Sequence, residues 1–130
     1  QLVLALNYPK EFMQCQVECG NEPSGMVGLE QKVFGASHDS IGAYLLGLWN
    51  LDHAVIESVA YHHEPRKSAV RQMGPLPIVH VAEAIAHGIN DTEQLKKKID
   101  FSYLKEVGCL ERLPLWTKTC AELVENNSGT

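Results

Sequence analysis

The sequence lacks several features that would assign it to a specialised class of protein. Its 130 residues contain no apolar run close to the roughly 20 residues that a membrane-spanning helix needs, and no basic segment precedes an apolar run as in a signal peptide. Alternating apolar and polar runs between hairpin turns, internal repeats and low-complexity segments are also missing. We therefore expect a soluble, cytoplasmic protein without β-sheet.

Cationic side chains and cysteines are also few. Eleven Lys and Arg stand against 16 Asp and Glu, for a net charge of −5, and the dense basic run is Lys96 to Lys98. This balance argues against a nucleic-acid partner, and we expect the lysine run to be solvated. The spacings of the four cysteines match neither a zinc knuckle nor a secreted disulfide framework, so we expect buried, reduced thiols. These cysteines are Cys15, Cys19, Cys109 and Cys120.

Helical periodicity is the dominant pattern that is present. Apolar residues from Ile41 to Trp49 recur at i, i+3, i+4, i+7 and i+8, which is typical of a core-facing helical stripe. Turn residues and the candidate N-caps Ser37, Asp52 and Asp100 separate this stripe from others, so the predicted fold class is an all-α helical bundle. The predicted helices run from Leu2 to Gly20 with a break near Pro9, from Met26 to Gly35, from Ser37 to Asn50, from Asp52 to His63, from Pro77 to Gly88, within 90–99, from Asp100 to Gly108 and from Pro114 onward.

The length of the chain suits one hydrophobic core. We predict a single domain over residues 1–125, followed by a flexible tail at 126–130. The sequence begins at Gln1, directly in apolar helical sequence, so we expect it to be a piece of a longer protein. If upstream helices are truly absent, the apolar faces from Leu2 to Leu6 need covering, and self-association is expected.

Chemically versatile side chains concentrate in residues 38–65, HDSIGAYLLGLWNLDHAVIESVAYHHEP. Imidazole and carboxylate are the groups with which proteins bind zinc, manganese or iron. The candidate metal ligands are therefore His38, His62 and His63, with Glu83 from a later helix. Because neighbouring helical residues point about 100° apart, His62 and His63 are not expected to share one ion easily.

A second possible metal site is the helical triad His80, Glu83 and His87, at i, i+3 and i+7. We expect His80 and His87 to be partly exposed, since a neighbouring stripe looks like the core side of this helix. That stripe comprises Val79, Ala82 and Ala86. No G-x-S-x-G elbow, P-loop, G-x-G-x-x-G or H-E-x-x-H motif occurs, which leaves a metal-assisted or a purely binding role.

Several short segments occur in a characteristic order. They are YP at 8–9, E-x-x-x-FG at 30–35, H-x-x-IGA-x-LL-x-LW at 38–49, VAYHHEP at 59–65 and IVHVAEAIA at 78–86. Together they resemble, over about residues 2–89, the C-terminal part of the HDOD domain, an all-helical relative of HD-domain phosphohydrolases found in bacterial signalling proteins. The later segment FSYLKEVG-x-LERLP-x-W resembles the end of response regulators that join a receiver to an HDOD domain. The resemblance implies an HD-superfamily-like bundle, here expected to lack its N-terminal helices.

The same stretch is similar, more distantly, to the HD-GYP phosphodiesterases that hydrolyse cyclic di-GMP. By this resemblance His38 matches the histidine of their H-x-x-IG ligand motif. His62 and His63 match their paired histidines, and Glu83 matches the aspartate of their V-A-D segment.

Two departures from the HD-GYP pattern bear on activity. The HD doublet that names the superfamily is expected upstream of Gln1, and Arg66, Lys67 and Ser68 replace the G-Y-P loop. HDOD domains in general resemble HD domains with an eroded metal site and are regarded as signalling modules.

The resemblance implies a non-catalytic signalling or regulatory module. Its partners are expected to be proteins, or a receiver domain in the same polypeptide, rather than nucleic acid or membrane, and no resident cofactor is expected. One alternative is a metal-dependent phosphohydrolase acting on a phosphodiester or nucleotide with Fe, Mn or Zn. Another is a nucleotide or small-molecule sensor in which Arg66, Lys67 and Arg71 meet a phosphate.

Overall fold

All regular secondary structure in the described part of the computed structural model is helical. The structure describes residues 1–20, 25–88 and 92–127, and no strand occurs within these ranges. The all-α prediction is therefore confirmed. Within the same ranges, no helix combines the length and the apolarity that crossing a membrane requires.

The described residues form nine α-helices and two 3₁₀ turns. The helices are α1 (Leu2–Asn7), α2 (Pro9–Cys19), α3 (Met26–Phe34), α4 (His38–Leu48), α5 (His53–Tyr61), α6 (Pro75–Gly88), α7 (Thr92–Lys98), α8 (Phe101–Glu106) and α9 (Leu113–Asn127), with 3₁₀ turns at Pro65–Lys67 and Leu110–Arg112.

The chain divides into two compact units, Gln1–Ala60 and Tyr61–Thr130. The first unit contains α1 to α4 and all but the last residue of α5, and the second contains α6 to α9. A single domain over 1–125 stays a prediction. Of the predicted tail, residues 126 and 127 belong to α9, whereas 128–130 lie outside the described residues, as does the predicted family boundary near 89.

Local signals set the helix ends in the first unit. Gly35 ends α3 with φ 77°, a left-handed conformation that glycine adopts without steric strain, and its N–H donates to the Gln31 carbonyl at 3.1 Å. Asn50, with φ 56°, follows the end of α4. Asp52 accepts the backbone N–H of Ala54 at 2.8 Å as α5 begins. The predicted end of α3 and the predicted start of α5 are confirmed, whereas α4 ends at Leu48, two residues before the predicted Asn50.

Two predicted helix starts in the second unit are wrong by one or two residues. α6 begins at Pro75 rather than Pro77, and α9 begins at Leu113 rather than Pro114. Proline is tolerated anywhere in the first turn because the N–H groups there have no partner within the helix. A proline therefore marks the first turn without fixing the first residue.

The second unit has one continuous apolar core. It is built from α6 and α8 and the residues after them, with partly buried side chains from α7 and α9 packed against it. A fully buried Val, Leu or Ile side chain contributes roughly 1.5–3 kcal/mol. The buried members are Leu76, Val81, Ala84, Ile85, Ile99, Tyr103, Leu104, Val107 and Cys109.

The cysteines are all free thiols, as predicted. Cys15 and Cys109 are buried, whereas Cys19 and Cys120 are half-buried. Burial raises the pKa of both the Cys15 and the Cys109 thiol. A raised pKa disfavours the reactive thiolate, so these two residues serve as small apolar core side chains.

Candidate functional site

The first turn of α4 is held by a carboxylate from the preceding helix. Glu30 on α3 is fully buried, and its Oε2 accepts the backbone N–H of His38 at 2.8 Å. The same oxygen lies 2.5 Å from Nδ1 of the His38 ring. Ser37 occupies the cap position, as predicted, but its hydroxyl donates to Asp39 and accepts no helix N–H. Glu30 thus supplies an acceptor that the cap residue does not.

The contact with Glu30 also determines how the His38 ring is oriented. Nδ1 carries the proton that is donated to the carboxylate, so the lone pair of the neutral ring lies on Nε2. Metal-binding histidines are typically oriented by a carboxylate in the same way. The geometry of His38 therefore suits a ligand role as well as a structural one.

The second oxygen of Glu30 is poorly satisfied. Among the described residues, Oε1 is buried and has no hydrogen-bond partner. A buried charge is costly unless it is paired and hydrogen-bonded. Among the described residues, the hydrogen bonds of this buried carboxylate are thus both made by Oε2, and both go to His38.

A small cavity of about 170 Å³ opens beside His38. Apolar side chains from α1 and the start of α4, including Leu2, Leu4 and Ile41, line it. Water occupies about 30 Å³ per molecule, so the cavity can hold a few waters but no large ligand.

Gly42 allows α4 and α5 to approach closely. A Cβ atom built on Gly42 would lie 3.0 Å from Cγ1 of Val59, which is tighter than ordinary van der Waals contact. This proximity gives a packing reason for the glycine of the H-x-x-IG motif.

His62 and His63 lie in the second unit, both half-buried, just after α5 ends at Tyr61. Their ring centroids are 3.9 Å apart and their planes are tilted by 40°. The expectation that they point about 100° apart is wrong, because it assumed that both residues are helical. A ring nitrogen of one lies within 4.8 Å of a ring nitrogen of the other, a separation at which two imidazoles can contact one ion.

Both ring nitrogens of His80 are hydrogen-bonded to backbone groups. Its Nδ1 lies 2.6 Å from the His62 carbonyl oxygen, and its Nε2 accepts the backbone N–H of Asp100 at 3.0 Å. Since Nε2 must accept, Nδ1 carries the proton and the ring is neutral. Burial lowers the pKa of His80, against smaller opposing effects of the His62 carbonyl and the Asp100 carboxylate.

The predicted orientation of α6 is wrong. His80 is only 3% exposed, and the core side of the helix is formed by Val81, Ala84 and Ile85. Burial of the imidazole is tolerated because both ring nitrogens find backbone partners.

The other two members of the predicted metal-binding triad are Glu83 and His87. Glu83 is half-buried on α6, and the side chain of His87 lies outside the described residues. A metal at His80 would displace one of two hydrogen bonds to the backbone, which disfavours that triad.

Asp100 connects three parts of the second unit. Its N–H bonds His80, its Oδ1 accepts the Tyr103 N–H at 2.9 Å as the cap of α8, and its Oδ2 lies 2.8 Å from Nε of Arg66. The capping role of Asp100 was predicted and is confirmed. The ion pair with Arg66 fixes one of the three predicted phosphate-binding cations.

Arg71, another of these cations, is occupied by structural contacts. Its guanidinium pairs with Glu106 at 3.2 Å, donates to the carbonyls of Ser68 and Arg66, and lies 5.9 Å from the centre of the Tyr103 ring. Arg71 therefore braces the loop before α6 against α8. Arg66, which pairs with Asp100, and the third cation, Lys67, which pairs with Glu64 at 2.6 Å, line a cleft of about 670 Å³.

Two polar contacts of the described residues were not predicted: that of Glu30 with His38 and that of Asp100 with His80. Glu30 recurs at helical spacing with Met26 and Val33, and a carboxylate among such apolar residues indicates a buried partner. Nothing local in the sequence identifies His38 as that partner, or Asp100 as the partner of His80.

Comparison with known proteins supports the family resemblance. A family model described as the HDOD domain matches residues 1–65, which is half of the chain. The match ends at Pro65, before the IVHVAEAIA segment that was included in the resemblance. None of the curated proteins and none of the solved structures compared with the chain matches it.

Proposed function

The chain belongs to the HDOD domain family, and from this premise we propose that it is a cytoplasmic, non-catalytic signalling module that acts through protein contacts. The proposed partners are separate proteins or a receiver domain of the same polypeptide, and a second copy of the chain is the simplest case to test. The free thiols of all four cysteines are consistent with a reducing compartment.

Apolar side chains exposed in the first unit carry this proposal. They occur as i, i+4 pairs on single helices, so each pair forms one apolar spot. The pairs are Leu2 and Leu6 on α1, Met13 and Val17 on α2, and Tyr44 and Leu48 on α4, with exposures from 56% to 80%. Trp49, at 65%, extends the third pair, so the expectation that the stripe from Ile41 to Trp49 faces the core is wrong for Tyr44, Leu48 and Trp49. Repeated apolar spots on a small unit are typical of a protein-binding surface.

The bonding of the histidines supports a role without catalysis. Both ring nitrogens of His80 are bonded to backbone groups, and Nδ1 of His38 is bonded to Glu30. These contacts join segments that are distant in the sequence, which gives the histidines a structural role that needs no metal.

Sedimentation velocity over a concentration series tests the protein-contact surface. We expect reversible association that weakens when Tyr44 and Leu48 are both changed to Ser. Leu115 and Leu123 on α9 are the matched control, since they are 63% and 57% exposed in the second unit. A chain that is monomeric throughout, or that responds equally to both double variants, contradicts the proposal for α4.

A hydrolysis assay with bis(p-nitrophenyl) phosphate and cyclic di-GMP, in the presence of Mn²⁺ or Fe²⁺, tests the absence of catalysis. We expect no turnover above that of a His38→Ala variant. Turnover in the unmodified chain that His38→Ala abolishes would contradict the non-catalytic proposal.

The alternative is a metal-dependent phosphohydrolase, and the orientation of His38 by Glu30 favours it. Imidazole and carboxylate donors fit zinc, manganese or iron, and such an ion supplies Lewis acidity and a water of lowered pKa. The test is metal analysis of the purified protein by mass spectrometry. Stoichiometric metal that is lost separately in His38→Ala, in the His62→Ala and His63→Ala double variant, and in Glu83→Ala would support it.

A further inference from the structure

We propose that the cleft of the second unit binds a phosphate-bearing small molecule. Its volume of about 670 Å³ lies within the range of roughly 300–1,000 Å³ that small-molecule sites occupy. The turn after the histidine pair lines the cleft together with the end of α7 and the start of α8. The site extends beyond the proposed signalling function, because ligand binding here requires neither a protein partner nor a metal.

Positive charge distinguishes this cleft from the rest of an acidic chain. Four of the eleven Lys and Arg line it, with two carboxylates, although the whole chain has a net charge of −5. Because the cleft is concave, this excess of positive charge produces a positive electrostatic potential inside the cleft, which favours the binding of an anion. The cations are Arg66, Lys67, Lys97 and Lys98, and the carboxylates are Glu64 and Asp100.

Arg66 is positioned in advance of any ligand. The contact of its Nε with Asp100 orients a guanidinium that is still 50% exposed. Asp100 is itself fixed by the backbone N–H of Tyr103 and by His80. A guanidinium held in one orientation recognises phosphate oxygens with geometric specificity.

The lysine run at the end of α7 divides into two kinds of residue. Lys96 pairs with Glu93 at 2.8 Å and does not line the cleft, whereas Lys97 and Lys98 do. The expectation that the whole run is a solvated face is wrong for Lys98, which is half-buried. A cationic helix end is favoured by the helix dipole, but the dipole does not explain why two of three lysines line a cleft.

The shape and the other side chains of the cleft favour a small ligand over a polymer. An extended nucleic acid would meet the surplus negative charge of the chain outside the cleft. Inside it, Ser102 offers a hydroxyl and Phe101 a ring that is 40% exposed, beside the cations. These groups can complement a phosphate and an attached organic group.

Isothermal titration of the whole chain with inorganic pyrophosphate and with ATP tests the site. We expect saturable binding of at least one probe, weakened about tenfold or more when Lys97 and Lys98 are both changed to Ala, and weakened by added salt. Equal affinities would identify the phosphates as the recognised group, and tighter binding of ATP would identify a nucleoside phosphate.

Lys96→Ala is the matched control, since it removes the same charge from the same helix outside the cleft. It should change the affinity by less than twofold, and unchanged thermal unfolding of each variant excludes loss of the fold. The proposal is overturned if neither probe binds at millimolar concentration. It is also overturned if Lys96→Ala weakens binding as much, per charge removed, as the Lys97 and Lys98 double variant.

Discussion

His38 in the first unit bonds a buried carboxylate, whereas His80 in the second unit bonds two backbone groups. Both imidazoles are tied to residues distant in the sequence, but they differ in what protonation does to them. A carboxylate accepts a hydrogen bond from a neutral or a protonated ring. The backbone N–H of Asp100 needs an acceptor, which Nε2 of His80 provides only when the ring is neutral.

The neighbours of a histidine, rather than its presence in a motif, therefore decide its role. Glu30 gives His38 the orientation of a metal ligand and also an anchor for α4. His80 has the opposite arrangement, because it already uses both nitrogens. The two units should accordingly respond differently to substitution and to acid.

Glu30→Ala should have the largest effect on stability and would weaken the first unit. It removes the carboxylate that accepts both the backbone N–H and the ring N–H of His38, and since a hydrogen bond to a charged group contributes about 1.5–3 kcal/mol, the total loss should be about 3 kcal/mol or more. Urea unfolding measures the loss. Glu30→Gln keeps an oxygen acceptor and should cost clearly less, so equal losses in the two variants would contradict a hydrogen-bonding role.

His80→Leu should have the next largest effect and would weaken the second unit. It leaves the His62 carbonyl and the Asp100 N–H without their partner, at about 2 kcal/mol or more in total. Urea unfolding together with amide hydrogen exchange at Asp100 measures it. An amide that exchanges no faster in the variant would show that the bond to Nε2 is unimportant.

Acid should destabilise the protein through His80. Burial lowers its pKa in the folded state, so the unfolded state binds more protons once the pH falls below the ordinary value of about 6.5. Stability is then lost as the pH falls from there towards the folded pKa, with a slope of at most about 1.4 kcal/mol per pH unit. The difference between the unmodified chain and His80→Leu, measured by urea unfolding from pH 7.5 to 5, should shrink as the pH falls. A constant difference would contradict the neutral assignment.

The smallest expected effect compares two glycines on α4. Gly47 has no heavy atom within 4 Å of a built Cβ, so Gly47→Ala should stabilise the helix by about 0.5–1 kcal/mol. Gly42→Ala gains the same propensity but meets the β-branched Val59 at 3.0 Å, and should be less stable than Gly47→Ala by about 1 kcal/mol. Thermal unfolding compares them, and equal stabilisation would show that α4 and α5 can separate at no cost.

The parts of the fold that depend on neighbours in the sequence could be predicted. The caps Asp52 and Asp100 are predicted from local turn chemistry, and the structure confirms both. Such signals act within one helical turn, so the sequence contains them completely.

The candidate site depends on contacts that no local pattern encodes. Glu30 reaches His38 eight residues away, and Asp100 reaches His80 twenty residues away. The helix α6 is oriented so that His80 is buried. The sequence periodicity instead predicted Val79, Ala82 and Ala86 as its core-facing side. The histidine pair lies outside α5 because that helix ends at Tyr61, well before Pro65.

The bonds at Asp100 also constrain the order in which the second unit can assemble. The cap that Asp100 provides for α8 spans three residues and can form as soon as that turn does. The bond to His80 closes a loop of twenty residues, which carries a larger entropic penalty and slows formation. The bond between Asp100 and Tyr103 should therefore form earlier than the bond between Asp100 and His80, which requires α6 to dock first.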